Sequence, residues 1–121
     1  SDGKVLRAFS DEEATSYSIP DGVTTIAQRA FSELENLKSV DIPDSVQFIT
    51  QNAFEDSGLS SVILPANIKV IDEYAFFFCQ KLSSVGYKGE IYTSISKLEK
   101  ALKENGVIIG YHSFASTALA L

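Results

Sequence analysis

Leu37-Lys38-Ser39-Val40-Asp41-Ile42-Pro43-Asp44-Ser45-Val46-Gln47-Phe48-Ile49-Thr50-Gln51-Asn52-Ala53-Phe54 is the stretch from which the rest of the chain can be read. Its closing pair, Ala53-Phe54, follows Ala30-Phe31 by 23 residues and precedes Ala75-Phe76 by 22. Leu37, Leu59 and Leu82 keep the same step, as do Val40, Val62 and Val85, then Ile42, Leu64 and Tyr87. Pro20, Pro43 and Pro65 follow the same beat. A fixed period in the twenties marks one supersecondary unit stacked on copies of itself, because such a unit cannot bury its apolar face alone. The functional question therefore moves from a pocket to a surface.

Within the unit, Val40 and Ile42 alternate with Ser39 and Asp41, which predicts a short strand with its apolar side inward. Pro43 removes a donor and ends the strand, and Asp44-Ser45 supplies turn chemistry. A second short extended piece follows, with Val46 and Ile49 turned inward. Residues 50–56 are too few for a true helix and predict a turn or a short 3₁₀ segment, which Ala53 and Phe54 close from the convex side. The ladders Phe31, Phe54, Phe76 and Leu37, Leu59, Leu82 are expected in the core.

The ends depart from the pattern, as terminal repeats do. Val5 to Phe9 reads as a strand, Ser10 to Glu13 as a turn and Thr15 to Ile19 as a returning strand. Residues 1–19 are therefore expected to form an N-terminal β-hairpin cap, followed by three regular repeats over 17–87. The fourth unit starts at Tyr87-Lys88-Gly89-Glu90-Ile91 and is interrupted. A helix is expected over 96–105, with Ser96 and Glu99 as a capping box, Ile95, Leu98 and Leu102 on one face, and Gly106 just past its end. The pattern then resumes, since Ile109 to Phe114 matches Ile71 to Phe76. Residues 88–121 thus make an interrupted last repeat, and the 121 residues form a single domain.

Composition narrows the function. A net charge of −6 argues against nucleic acid and anionic lipid as partners. No apolar run reaches the roughly 20 residues that span a bilayer, so no membrane insertion is expected. One cysteine, Cys79, excludes an internal disulfide and a cysteine-based zinc site. One histidine, His112, leaves little for a metal site or an acid–base pair, and it is expected on the convex surface. Asp11-Glu12-Glu13 reads as a solvated turn rather than a cation site, because consecutive side chains do not converge. No phosphate-binding glycine loop, serine elbow or catalytic carboxylate pair is visible. No catalytic residue, cofactor or metal is expected. The chain has no methionine, which predicts an internal or processed fragment, and it opens without a signal peptide, so it is expected either to be cytosolic or to have lost its leader.

The string Ile42-Pro43-Asp44-Ser45-Val46, Ile49, Ala53-Phe54, Leu59, Ser61-Val62 resembles the BspA-like leucine-rich repeat of bacterial surface proteins. The opening Asp2-Gly3-Lys4-Val5-Leu6 is similar to the lead-in of such arrays. The resemblance is firm over about 17–87. It implies a leucine-rich repeat solenoid of α/β type, mostly β, with a short parallel sheet on its concave face and here one helix inserted near the C-terminus. It further implies an extracellular or cell-surface bacterial protein that binds host or neighbouring-cell proteins. Cys79 stands where this family often carries cysteine, and is expected buried and inert. Two features depart from the family pattern: Ala27, Thr50 and Asp72 replace its usual glycine, and the helix interrupts the last repeat.

The candidate binding residues follow from that geometry. On the concave face one column holds Ser16, Ser39, Ser61 and Ser84, and the next holds Ser18, Asp41, Ile63 and Gly86. Ser39, Asp41, Ser61, Ile63 and Ser84 are the candidates there. Phe77 and Phe78 crowd the convex turn beside the core residue Phe76; they are candidates for a partner site, or pack under the inserted helix. The expected function is a non-enzymatic protein-binding module, with adhesion as its task. The alternative is a structural spacer or capping segment of a longer surface array with no partner of its own.

Overall fold

The computed structural model describes residues 4–121. Asp2 and Gly3 of the lead-in lie outside the described residues. The chain winds as a mostly β solenoid with one helix near its C-terminus. Five strands form one parallel sheet: β1 (Lys4–Leu6), β3 (Val23–Ile26), β5 (Phe48–Ile49), β7 (Val70–Ile71) and β10 (Ile108–Ile109). The repeated Leu-x-x-Val segments form the second side of each coil. There β2 (Ser16–Ser18) pairs with β4 (Ser39–Asp41), and β6 (Ser61–Ile63) pairs with β8 (Ser84–Tyr87), both parallel. Strand pairing lapses between β4 and β6, but Ser60 N still donates to Lys38 O at 3.2 Å. The strand sheet expected from the sequence is thus present in two pieces. The continuous sheet is built by the second extended piece of each unit.

The third side, predicted as a plain turn, is also a ladder. Arg29 N, Phe31 N and Glu33 N donate to Gln51 O, Ala53 O and Glu55 O of the next coil at 2.8–3.2 Å. Asn52, Phe54 and Asp56 donate likewise to Glu73, Ala75 and Phe77, and Tyr74, Phe76 and Phe78 to Tyr111, Ser113 and Ala115. The outer donors sit in left-handed backbone: Arg29, Asn52, Tyr74 and His112 in one column, Glu33, Asp56, Phe78 and Ser116 in the other, with φ between 54° and 64°. Such φ values disfavour residues with a Cβ. They recur because they aim the N–H groups along the solenoid axis, where those of Arg29, Asn52, Tyr74, Glu33, Asp56 and Phe78 each find a carbonyl of the next coil.

The core runs down the axis. Phe31, Phe54, Phe76 and Phe114 stack with centroids 4.9, 5.1 and 5.3 Å apart and planes within 5° of parallel. Leu37, Leu59, Leu82, Val46, Ile49 and Ala53 have no exposed surface. The turn passes close to its neighbour coil where it leaves this core. A Cβ on Gly58 would lie 2.1 Å from Glu35 O, so only glycine fits.

Both ends correct the sequence reading. Residues 4–19 do not form a hairpin. β1 pairs in parallel with β3 and β2 in parallel with β4, so the segment is one more coil. Phe9 stacks on Phe31 at 5.5 Å, and Phe9 N donates to Ala30 O. A lone two-stranded hairpin is marginal in water; pairing onto two sheets while extending the phenylalanine stack gains more. At the other end, Glu90–Tyr92 does not begin a parallel fourth strand. Lys88 and Gly89, with φ 49° and 84°, form a tight reversal, and β9 (Glu90–Tyr92) returns antiparallel on β8.

Helix α1 spans Ile95–Glu104, one residue earlier than expected. Its N-cap is Ser94, whose Oγ accepts from Lys97 N, so the Ser96–Glu99 capping box is not used. Ser96 Oγ instead donates to Leu121 O at 3.3 Å. Gly106 stands at C′ with φ 79°, Gly106 N donates to Lys103 O and Val107 N to Leu102 O, which makes a complete Schellman ending. Leu98 and Leu102 are fully buried and Ile95 half-buried, as the shared face required. The helix closes the open end of the core.

Candidate binding faces

The strand face brings together five of the seven predicted candidates. Ser39, Asp41, Ser61 and Ile63 line one shallow depression between neighbouring coils, and Ser84 is registered with Ser61. Ser16 faces Ser39 and Ser18 faces Asp41 in the other half. Ser39, Asp41, Ser61 and Ile63 are exposed, whereas Ser84 is half-buried. Alternation places them outward, since Val40, Val62 and Val85 between them are buried. Asp41 is already engaged: Ser18 Oγ donates to its Oδ2 at 2.9 Å.

The C-terminal half of the face carries an apolar patch that the columns alone did not reveal. Ile63 and Ile91 are 71% and 68% exposed, far more than core isoleucines. Gly86 lies between them, opposite Ile63 on β6 and Ile91 on β9. A Cβ on Gly86 would lie 3.2 Å from Ile63 Cγ1 and 3.5 Å from Ile91 Cδ1, so both side chains lean over the glycine. Ile91 was missed because residues 87–91 read as the start of a parallel unit. The signal was Lys88-Gly89, a two-residue reversal between extended pieces.

Phe77 and Phe78 are elsewhere, on the turn face. Phe77 is half-buried; its ring lies 5.1 Å from Tyr74 edge-on and 6.5 Å from His112 in parallel. Phe78 is 41% exposed and borders a groove with Asp56 and Lys81. The aromatic excess packs along the turn against the following coil, where Tyr111 stacks on His112 at 3.7 Å. Helix α1 packs on β9 and β10. His112 is exposed on the turn face, as expected.

Burial pushes the Cys79 thiol above its ordinary value of 9.0, against a smaller opposing hydrogen bond from Ser57. Its Sγ donates to Phe54 O at 3.0 Å, inside the core. Burial likewise raises the Tyr87 phenol. Among the described residues, no three His, Cys, Asp or Glu side chains converge as a metal site would need. No helix among them is long and apolar enough to cross a membrane.

The family model of the BspA type leucine-rich repeat region matches residues 6–119 in six copies. No curated protein and no solved structure matches the chain. Repeats of this type are typical of bacterial surface proteins, and leucine-rich repeat domains generally mediate protein–protein interaction. The phased Leu, Val and Ala-Phe positions, the parallel coils and the match over nearly the whole length agree, and the chain belongs to the BspA-type leucine-rich repeat family.

Proposed function

We propose that the chain is a non-enzymatic protein-binding module of a bacterial surface or secreted protein, with adhesion to host or neighbouring-cell proteins as its task. The observation that carries this reading is the pair Ile63 and Ile91 over Gly86, two large aliphatic side chains left bare on an otherwise hydroxyl-lined sheet face. Fully burying one isoleucine is worth about 1.5–3 kcal/mol, so the pair can anchor a partner. Asp41, on the coil next to Ile63 in the same row, adds a carboxylate for a basic partner residue. Ser39, Ser61 and Ser84 then supply small hydroxyls that let a partner surface approach closely. Four coils give a strip of roughly 14 Å at strand spacing, which fits a loop or a strand rather than a broad protein face.

The double substitution Ile63→Asp with Ile91→Asp tests this. Binding to immobilised host matrix proteins and to intact cells of neighbouring bacteria should fall at least tenfold, with the thermal unfolding midpoint unchanged because both side chains are exposed. Equal binding by the native and doubly substituted chains would favour the spacer role.

A further inference from the structure

The ladder on the turn side is incomplete at one place. On every earlier full coil, three N–H groups of alternate residues donate to carbonyls of the following coil. The matching donors of the last coil are His112 N, Phe114 N and Ser116 N. Among the described residues no acceptor meets them. They border a cleft of about 660 Å³, whose opposite wall is Ile95, Glu99 and Lys103 of α1. The helix closes the core at this end, since Phe114 is only 1% exposed, but it leaves the backbone edge of the turn facing the cleft.

We infer that this cleft binds a polypeptide segment of a partner by its main chain. The segment supplies carbonyls of three alternate residues to His112 N, Phe114 N and Ser116 N, as one more rung of the ladder. The molecule states the required chemistry three times. The acceptors are Gln51, Ala53 and Glu55, then Glu73, Ala75 and Phe77, then Tyr111, Ser113 and Ala115. The central acceptor is always small, and Ala53, Ala75 and Ser113 have no exposed surface. The partner segment therefore carries Ala or Ser at its centre and takes the turn of residues 51–56, left-handed where Asn52 and Asp56 are, which aims the carbonyls of alternate residues to one side as the ladder demands. This is main-chain addition at an open edge, continuing the interface that already joins the coils. It is independent of the strand face and its isoleucine pair.

The test uses a synthetic peptide with the sequence of residues 50–57, the segment that fills the equivalent edge of an earlier coil. Amide hydrogen exchange of the intact chain is followed by NMR with and without excess peptide. Exchange at His112, Phe114 and Ser116 should slow by about tenfold or more, with Asn52, Phe54 and Asp56 unchanged because their ladder is already filled. The same peptide carrying Ala53→Trp should slow none of them. Unchanged exchange at all three amides, or slowing confined to the strand face around Ile63 and Ile91, overturns the inference.

Discussion

Cys79 lies fully buried in the core, and its burial has a consequence with pH. Its thiol is held protonated in the fold beyond the ordinary value of 9.0, while in the unfolded chain it ionises near that value. Above pH 9 the unfolded state therefore releases a proton that the fold retains, and stability falls as pH rises through that range. The prediction is a decline in unfolding free energy above pH 9 that Cys79→Ala lessens. The decline shrinks without vanishing, because the buried Tyr87 phenol contributes the same sign at higher pH. Denaturant titrations at pH 7.5 and pH 10 check it; identical pH slopes for the two chains would contradict it. Core positions like this one were legible because a buried aromatic or leucine has no substitute at its rung, so Phe31, Phe54 and Phe76 recur in phase. The left-handed columns were not legible, because Arg29, Asn52, Tyr74 and His112 share no side-chain chemistry; what they share is a backbone conformation.

At the scale of elements, the repeat fixed which segments are equivalent but not which neighbour each one pairs with. The N-terminal coil was read as a hairpin because its phase is compressed. Leu6 aligns with Ile26 while Phe9 stacks on Phe31, so two residues fewer lie between the strand and the aromatic position. Ala8-Phe9 nevertheless precedes Ala30-Phe31 by 22 residues, and that spacing was the available signal. The turn ladder makes its own prediction. Glu33 holds φ at 63° with an exposed side chain, and its N–H donates to Glu55 O at 2.8 Å. The left-handed region costs a residue with a Cβ about 1–2 kcal/mol, while glycine costs about 0.5–1 in chain entropy. Glu33→Gly should therefore stabilise the protein by about 0.5–1 kcal/mol. Gln28→Gly, exposed and outside the left-handed columns, should destabilise it by about the same amount. Chemical denaturation of the two variants decides the matter, and loss of stability in both would place Glu33 in ordinary backbone.

At the scale of the molecule, each coil touches only its neighbours, so stability is close to a sum of coil terms and coil–coil interfaces. The phenylalanine stack is the most continuous of those interfaces, and position along it should govern how far a defect spreads. Phe54 is fully buried with a ring on either side, at 4.9 and 5.1 Å. Removing it opens a cavity between two interfaces and should cost about 3–5 kcal/mol, as for a buried aromatic. Phe9 is half-buried, with Tyr17 at 4.3 Å and one stacked neighbour at 5.5 Å. Its loss weakens a single interface at the end of the array. Phe54→Ala should thus accelerate amide exchange throughout the coils, because the halves it joins no longer support each other. Phe9→Ala should accelerate exchange only over residues 4–19 and leave Phe54 and Phe76 as protected as before. Capping drives the asymmetry: α1 buries Leu98 and Leu102 against the far end, whereas the first coil has Phe9 and Tyr17 as its aromatic cover. If both substitutions loosened the whole chain alike, the coils would be one all-or-none unit, and a graded array would be the wrong description of this solenoid.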